Sequence, residues 1–142
     1  IICADILKWQ PEKKYDLILL DAPCSATGTI RKNPDLIHIK DQQDIKSNIK
    51  LQKMLLERSV KFLSDNVVLV YCVCSLEYEE GEGQIEAFLR DNSSISSMPI
   101  NKDDFPEYQA FISPKGYLNT LPHLQEEGGI DGFFISKLYK KF

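Results

Sequence analysis

Two short apolar runs, each closing on Cys-Ser, constrain this chain more than any other feature. The first, Leu17 to Leu20, is unbroken and stops at Asp21, after which Ala22, Pro23, Cys24 and Ser25 set out a carboxylate, a rigid turn and a thiol. The second, VVLVYCVCS from Val67 to Ser75, ends on Cys74 and Ser75. Such runs are the pattern of strands covered on both faces in a parallel sheet. Neighbouring strands lie about 5 Å apart, so groups just past their carboxyl ends can share a pocket. That end is also where open α/β sheets bind ligands. Cys24 and Cys74, 50 positions apart, therefore become candidates for one site.

The spacing between the runs leaves room for a crossover helix. From Asp41 or Asp44 onward, Ile45, Ile49, Leu55, Leu56, Val60 and Leu63 fall within one broad stripe. Lys46, Lys50, Lys53, Glu57 and Lys61 lie mostly elsewhere, so the segment reads as an amphipathic helix with a purely structural role. Ser64, Asp65 and Asn66 end it. In the strand that follows, Tyr71 and Val73 point one way and Cys72 and Cys74 the other. Cys72 reads as a small buried hydrophobe.

At 142 residues the chain holds one domain with a single core. Ile1, Ile2 and Cys3 look like the tail of a strand, so the expectation is an incomplete domain. Lys plus Arg at 17 against Asp plus Glu at 21 gives a net charge of −4, which argues against a nucleic-acid clamp built on a basic face but not against RNA as a substrate. Arg31, Lys32 and Lys40 form a local cationic cluster, read either as phosphate contacts or as ordinary solvated surface. No apolar run reaches 18 residues, so no membrane span is expected. The cysteines Cys3, Cys24, Cys72 and Cys74 lack C-x-x-C pairs, and only His38 and His123 could supplement them, so no metal site is expected. Free thiols in an α/β chain point to a reducing compartment, hence the cytoplasm.

Asp5 follows the first apolar residues and reads either as a turn cap or as a ligand contact past a strand end. Ser25 to Lys40, with Gly28 and Pro34, is a long non-periodic connection. Leu76 to Arg90 is a loop entering a helix with Ile85, Phe88 and Leu89 inward. Its Gly81 and Gly83 make a G-x-G, but Glu79, Glu80 and Glu82 surround it and would repel phosphate. Asp91 to Gln109 is polar and broken by Pro99 and Pro106, a surface excursion. A short strand around Tyr117 to Leu121 and a final strand from Gly132 to Tyr139, joined by a turn at Gly128, Gly129 and Asp131, suggest an antiparallel hairpin at one sheet edge.

With DAPCSATG, VYCVCSLEYEEGEGQIEAFL and GGIDGFFISKL, in that order, the sequence resembles the Sun-type RNA (cytosine-5) methyltransferases over essentially its whole length. The resemblance implies a Rossmann-like S-adenosylmethionine-dependent methyltransferase sheet, N-terminally truncated, with residues 1–142 as the C-terminal portion of the catalytic domain. The cofactor's glycine-rich loop and the N-terminal RNA-binding domain would then be absent, and the isolated fragment is expected to be inactive. It implies methyl transfer to C5 of a cytosine in 16S ribosomal RNA, unpaired or flipped out so that C6 is reachable. Cys74 takes the place of the nucleophile that adds to C6, and Cys24 that of the cysteine assisting product release. Val73 stands where the family usually has threonine. Asp21 matches a carboxylate lying against both cofactor and base, Pro23 shapes that turn at the cofactor, and Asp5 matches the acidic contact to the adenine end. Arg31 and Lys32 become candidate RNA phosphate contacts.

A rival from another class is a non-catalytic Rossmann-like domain that binds RNA or a partner. Two thiols at two strand ends argue against it, since packing needs neither. A methyltransferase acting on an amino nitrogen typically carries an N/D-P-P-Y turn after the same strand, whereas here the turn is Asp21-Ala22-Pro23-Cys24.

Overall fold

The computed structural model describes residues 1–124 and 129–141. Strands β1 (Tyr15–Asp21), β2 (Leu63–Val73), β3 (Ile95–Met98), β4 (Leu118–Thr120) and β5 (Phe133–Lys140) form one sheet, with helices α1 (Leu36–Ile39), α2 (Gln42–Phe62) and α3 (Glu82–Asp91) between them. The strand order is β1-β2-β5-β3, and β4 also pairs with β5. β1 and β2 run parallel, as the two apolar runs require, while β5 is antiparallel to β2, β3 and β4. The result is an open mixed α/β sheet.

The crossover helix starts as its sequence dictates. Asp41 caps it, accepting from the backbone N–H groups of Gln43 and Asp44, while the Asp44 carboxylate accepts from the Asp41 N–H. Three otherwise orphaned donors are thereby satisfied, those of Asp41 and Asp44 reciprocally. Leu55 and Leu56 of α2 and Ile85 and Phe88 of α3 then bury against Leu20, Leu69, Tyr71, Val73, Phe134 and Leu138 of the sheet, forming one core. The sheet residues alternate along each strand, so they share one face. Burial of each large apolar side chain stabilises by about 2 kcal/mol. Both long helices lie on that face.

This placement corrects the expectation that β1 is covered on both sides. Leu17 and Leu19 are 63% and 67% exposed, because their alternate neighbours Ile18 and Leu20 take the helix-covered face. A smaller cluster of Ile100, Phe111, Ile112 and Leu118, with Ile130 and Ile135, packs apart from the main core.

Four other expectations shift. Ile1 to Ala4 form no strand, and β2 begins at Leu63, so Ser64, Asp65 and Asn66 belong to the strand rather than to a helix end. The polar excursion from Asp91 contains β3, whose Ile95 is buried in the core. The closing pair is antiparallel as expected, but β5 sits inside the sheet between β2 and the two short strands β3 and β4. Polarity hid β3, since only one of its four side chains points fully inward. Gly128, read as part of the closing turn, lies outside the described residues.

Candidate active site

The parallel register of β1 and β2 builds the site. Asp21 pairs with Cys72, and the ladder continues one step beyond with the Ala22 N–H donating to the Cys72 carbonyl at 3.0 Å. Three residues past Asp21 and two past Cys72, the chains deliver Cys24 and Cys74 with their Sγ atoms 3.5 Å apart. Both thiols are free and half-buried. Burial pushes the Cys24 thiol up to about 12, with the proximity of Cys74 and Glu80 adding to the effect. Cys24 is therefore a neutral thiol at pH 7.

Backbone closure holds the first turn in place. The Gly28 N–H donates to the Cys74 carbonyl at 3.1 Å, and the Gly28 carbonyl accepts from the Gly132 N–H at 2.7 Å. A Cβ on Gly28 would stand 2.0 Å from the Gly132 carbonyl oxygen, so only glycine permits this approach. Ala26, between the thiol and this contact, adopts a left-handed φ of 60°. Gly81 and Gly83 serve packing, facing the Phe134 and Tyr78 side chains.

Beneath the thiols lies a buried polar cluster that the sequence did not reveal. Glu80 is fully buried. Its carboxylate accepts from the Ser25 N–H at 2.9 and 3.1 Å, the Ser25 hydroxyl at 2.5 Å and the Ser75 hydroxyl at 2.6 Å. Gln52 of α2 donates to it at 3.3 Å and to the Pro23 carbonyl at 2.9 Å, which corrects the purely structural reading of that helix. Gln52 had a signal, a polar residue within an apolar stripe. Glu80 had none, because four glutamates crowd positions 77 to 82 and nothing in their spacing marks the one that turns inward.

The Asp21 carboxylate is exposed and accepts from the Cys72 thiol at 3.5 Å. Burial and Asp21 together push Cys72 up to about 12, which keeps this thiol neutral, and it is half-buried rather than enclosed in the core. Asp5 stands outside the cluster: its carboxylate accepts from the Leu7 N–H at 3.0 Å and lies 3.8 Å from Lys8, the geometry of an exposed turn cap. Arg31 and Lys32 both pair with Asp131, at 3.5 and 2.7 Å, and the Lys32 hydrogen bond pulls the Asp131 carboxyl below its usual range. Beside Ser75 opens a cleft of about 280 Å³ whose lining includes Tyr78, Asn119 and Phe134. Among the described residues no cluster of potential metal ligands occurs, and no helix is long and apolar enough to cross a membrane.

Residues 1–139 match the family described as 16S rRNA methyltransferase RsmB/F. The chain belongs to this family. Ribosomal RNA small subunit methyltransferase B of Salmonella arizonae is 40% identical over 134 residues, covering 94% of this chain and 28% of the relative. The namesake in Pasteurella multocida is 39% identical over 127 residues, covering 89% and 26%. The chain thus spans about a quarter of the length of these RsmB relatives. Among solved structures, NSun6 from Pyrococcus horikoshii, crystallised with SFG, superposes with a TM-score of 0.76 at 28% identity, covering 98% of this chain and 34% of that one. A methyltransferase homolog protein from the same organism gives 0.68 at 33% identity, covering 90% and 40%. The RsmB/F match takes in both cysteine turns and all but the last residue of the closing strand, so the paired thiols sit within the shared region.

Proposed function

We propose that this chain carries the cysteine-bearing portion of the catalytic domain of an S-adenosylmethionine-dependent RNA (cytosine-5) methyltransferase, acting in the cytoplasm on 16S ribosomal RNA. The observation that carries the reading is the pair of free thiols 3.5 Å apart at the carboxyl ends of adjacent parallel strands. C5 of cytosine is a poor nucleophile. Addition of the Cys74 thiolate to C6 shifts the C5–C6 π pair onto C5, which would then take the methyl group as its bond to the sulfonium sulfur of S-adenosylmethionine breaks and S-adenosylhomocysteine leaves. Removal of the C5 proton by a solvent base lets the pair return, re-forming the double bond and expelling Cys74 as thiolate. Cys24, a neutral thiol beside it, can donate to an anion formed at Cys74 and assist this last stage.

The residues present fit the cofactor in part: Asp21 and Asp5 both offer exposed carboxylates, the acceptors that its amino groups need. Asp21, beside the thiols, would hold cofactor and base, Pro23 would shape that turn, and Asp5 would meet the adenine end. S-adenosylmethionine, when bound, supplies the methyl group. Arg31 and Lys32 remain 43% and 59% exposed despite their pairing with Asp131 and are the proposed phosphate contacts. The target cytosine must be unpaired or extruded to bring C6 to a thiolate.

The test uses the intact protein with cofactor and 16S ribosomal RNA. Cys74→Ala should abolish methyl transfer and form no adduct. Cys24→Ala should accumulate a covalent protein–RNA species that survives denaturing electrophoresis. An adduct formed by the Cys74→Ala variant would sink the assignment, and a wild-type protein that binds RNA without methylating it would favour the non-catalytic alternative.

A further inference from the structure

Neither thiol chemistry nor cofactor binding accounts for Glu80. Its carboxylate is fully removed from water, which costs free energy unless every acceptor site is satisfied. Burying a charged group is weak evidence of a need for stability, since apolar side chains of similar volume often do as well. What distinguishes Glu80 is where its donors come from. One oxygen accepts from the hydroxyls of Ser25 and Ser75 at 2.5 and 2.6 Å, and these two serines are the residues directly after Cys24 and Cys74. The other accepts from the Ser25 N–H at 2.9 Å and from Gln52, which also holds the Pro23 carbonyl. The two serine hydroxyls lie 3.1 Å from each other. Glu80 is itself fixed through its backbone, whose carbonyl accepts from the buried Tyr71 hydroxyl at 2.7 Å. Each cysteine is thus one residue from an anchor on the same carboxylate.

We propose that Glu80 is the positioning residue of the thiol pair: by gathering Ser25 and Ser75 onto one buried carboxylate, it sets the separation of Cys24 and Cys74. The β1–β2 ladder brings the strand ends together but stops before either cysteine, and beyond it the Gly28 N–H, four residues past Cys24, holds the Cys74 carbonyl while leaving Cys24 itself unpaired across the two turns. The carboxylate closes that gap. The catalytic consequence rests on the function proposed above, with Cys74 adding to the base and Cys24 assisting release, whereas the geometric consequence does not.

The experiment therefore has two arms, both on the intact protein. In the first, dibromobimane, which joins two nearby thiols by losing one bromide at each, is added without RNA or cofactor. The Cys24–Cys74 bridged peptide is then quantified by mass spectrometry. Glu80→Ala should slow bridging at least tenfold, with folding checked by near-ultraviolet circular dichroism. Ser75→Ala, which removes the hydrogen bond tying the Cys74 turn to the carboxylate, should slow it at least threefold, and this variant decides the matter if Glu80→Ala does not fold. Bridging at the wild-type rate in a folded variant overturns the inference.

In the second arm methyl transfer is measured, with kcat expected to fall at least tenfold in the folded variant while the cofactor KM stays within twofold. Slowed bridging with an unchanged kcat overturns the role in the reaction. A wild-type protein that neither methylates RNA nor forms an adduct defeats the proposed function, and the bridging arm then still judges Glu80.

Discussion

Two regions of this molecule present carboxylates past the end of an apolar stretch, and they have little else in common. At the ends of β1 and β2, Cys24, Ser25, Cys74, Ser75 and Glu80 converge from positions far apart in the chain, with the two serines and Glu80 buried. In the opening residues, the exposed Asp5 carboxylate reaches no further than Leu7 and Lys8. The difference teaches what a site needs beyond the right residue type. Register between neighbouring strands brings distant groups to defined distances, whereas a local turn satisfies its own backbone and leaves the side chain in water.

That contrast is breakable, first, at Gly28. Gly28→Ala should cost about 3 kcal/mol through overpacking, because the new methyl meets the backbone of Gly132 rather than a movable side chain. The urea midpoint reads the loss. A cost below about 1 kcal/mol would mean that the closure is loose and the strand-end region less fixed than its hydrogen bonds imply.

A second probe sharpens the contrast through protonation. Cys24 holds its proton to about 12 in the folded chain against an ordinary value of 9.0. Folding therefore favours the protonated form: the unfolded thiol ionises first, so the stability tied to Cys24 is complete below about pH 9 and is lost as pH rises towards 12. Peptide-resolved alkylation with iodoacetamide should give a midpoint for Cys24 well above that found in urea. Equal midpoints would show that partial burial does not hold the Cys24 proton in the folded chain.

The smallest effect is expected at Asp5. Asp5→Ala should lower stability by no more than about 1 kcal/mol, the range for losing an exposed cap, since the nearby Lys8 adds little at a solvated surface. A larger loss in thermal unfolding would show that the opening segment is anchored to the fold as firmly as the thiol turns.

Much of the scaffold was legible because local pattern and global packing agree. The α2 stripe, its Asp41 cap and the β1-β2 parallel pair all follow from periodicity and from the residues that punctuate it. The thiol pair was legible for the same reason, since two adjacent parallel strands leave their ends side by side. β3 and the inner position of β5 were not legible, because a short strand with one inward side chain carries too little periodicity to stand out. The single-sided cover of β1 was hidden too, for Leu17 and Leu19 read as core when only composition is known.

By itself, then, the sequence determined the long helix and the two parallel strands, which two turns carry thiols and which chemistry such thiols suit. Only the tertiary structure decided that Glu80, among its neighbouring glutamates, turns inward, that Gln52 reaches from a helix stripe into the site, and that Arg31 and Lys32 meet Asp131. The physical reason is range. Periodicity and capping act over a few residues and are written locally, whereas a buried carboxylate is chosen by donors that only the folded chain assembles around it.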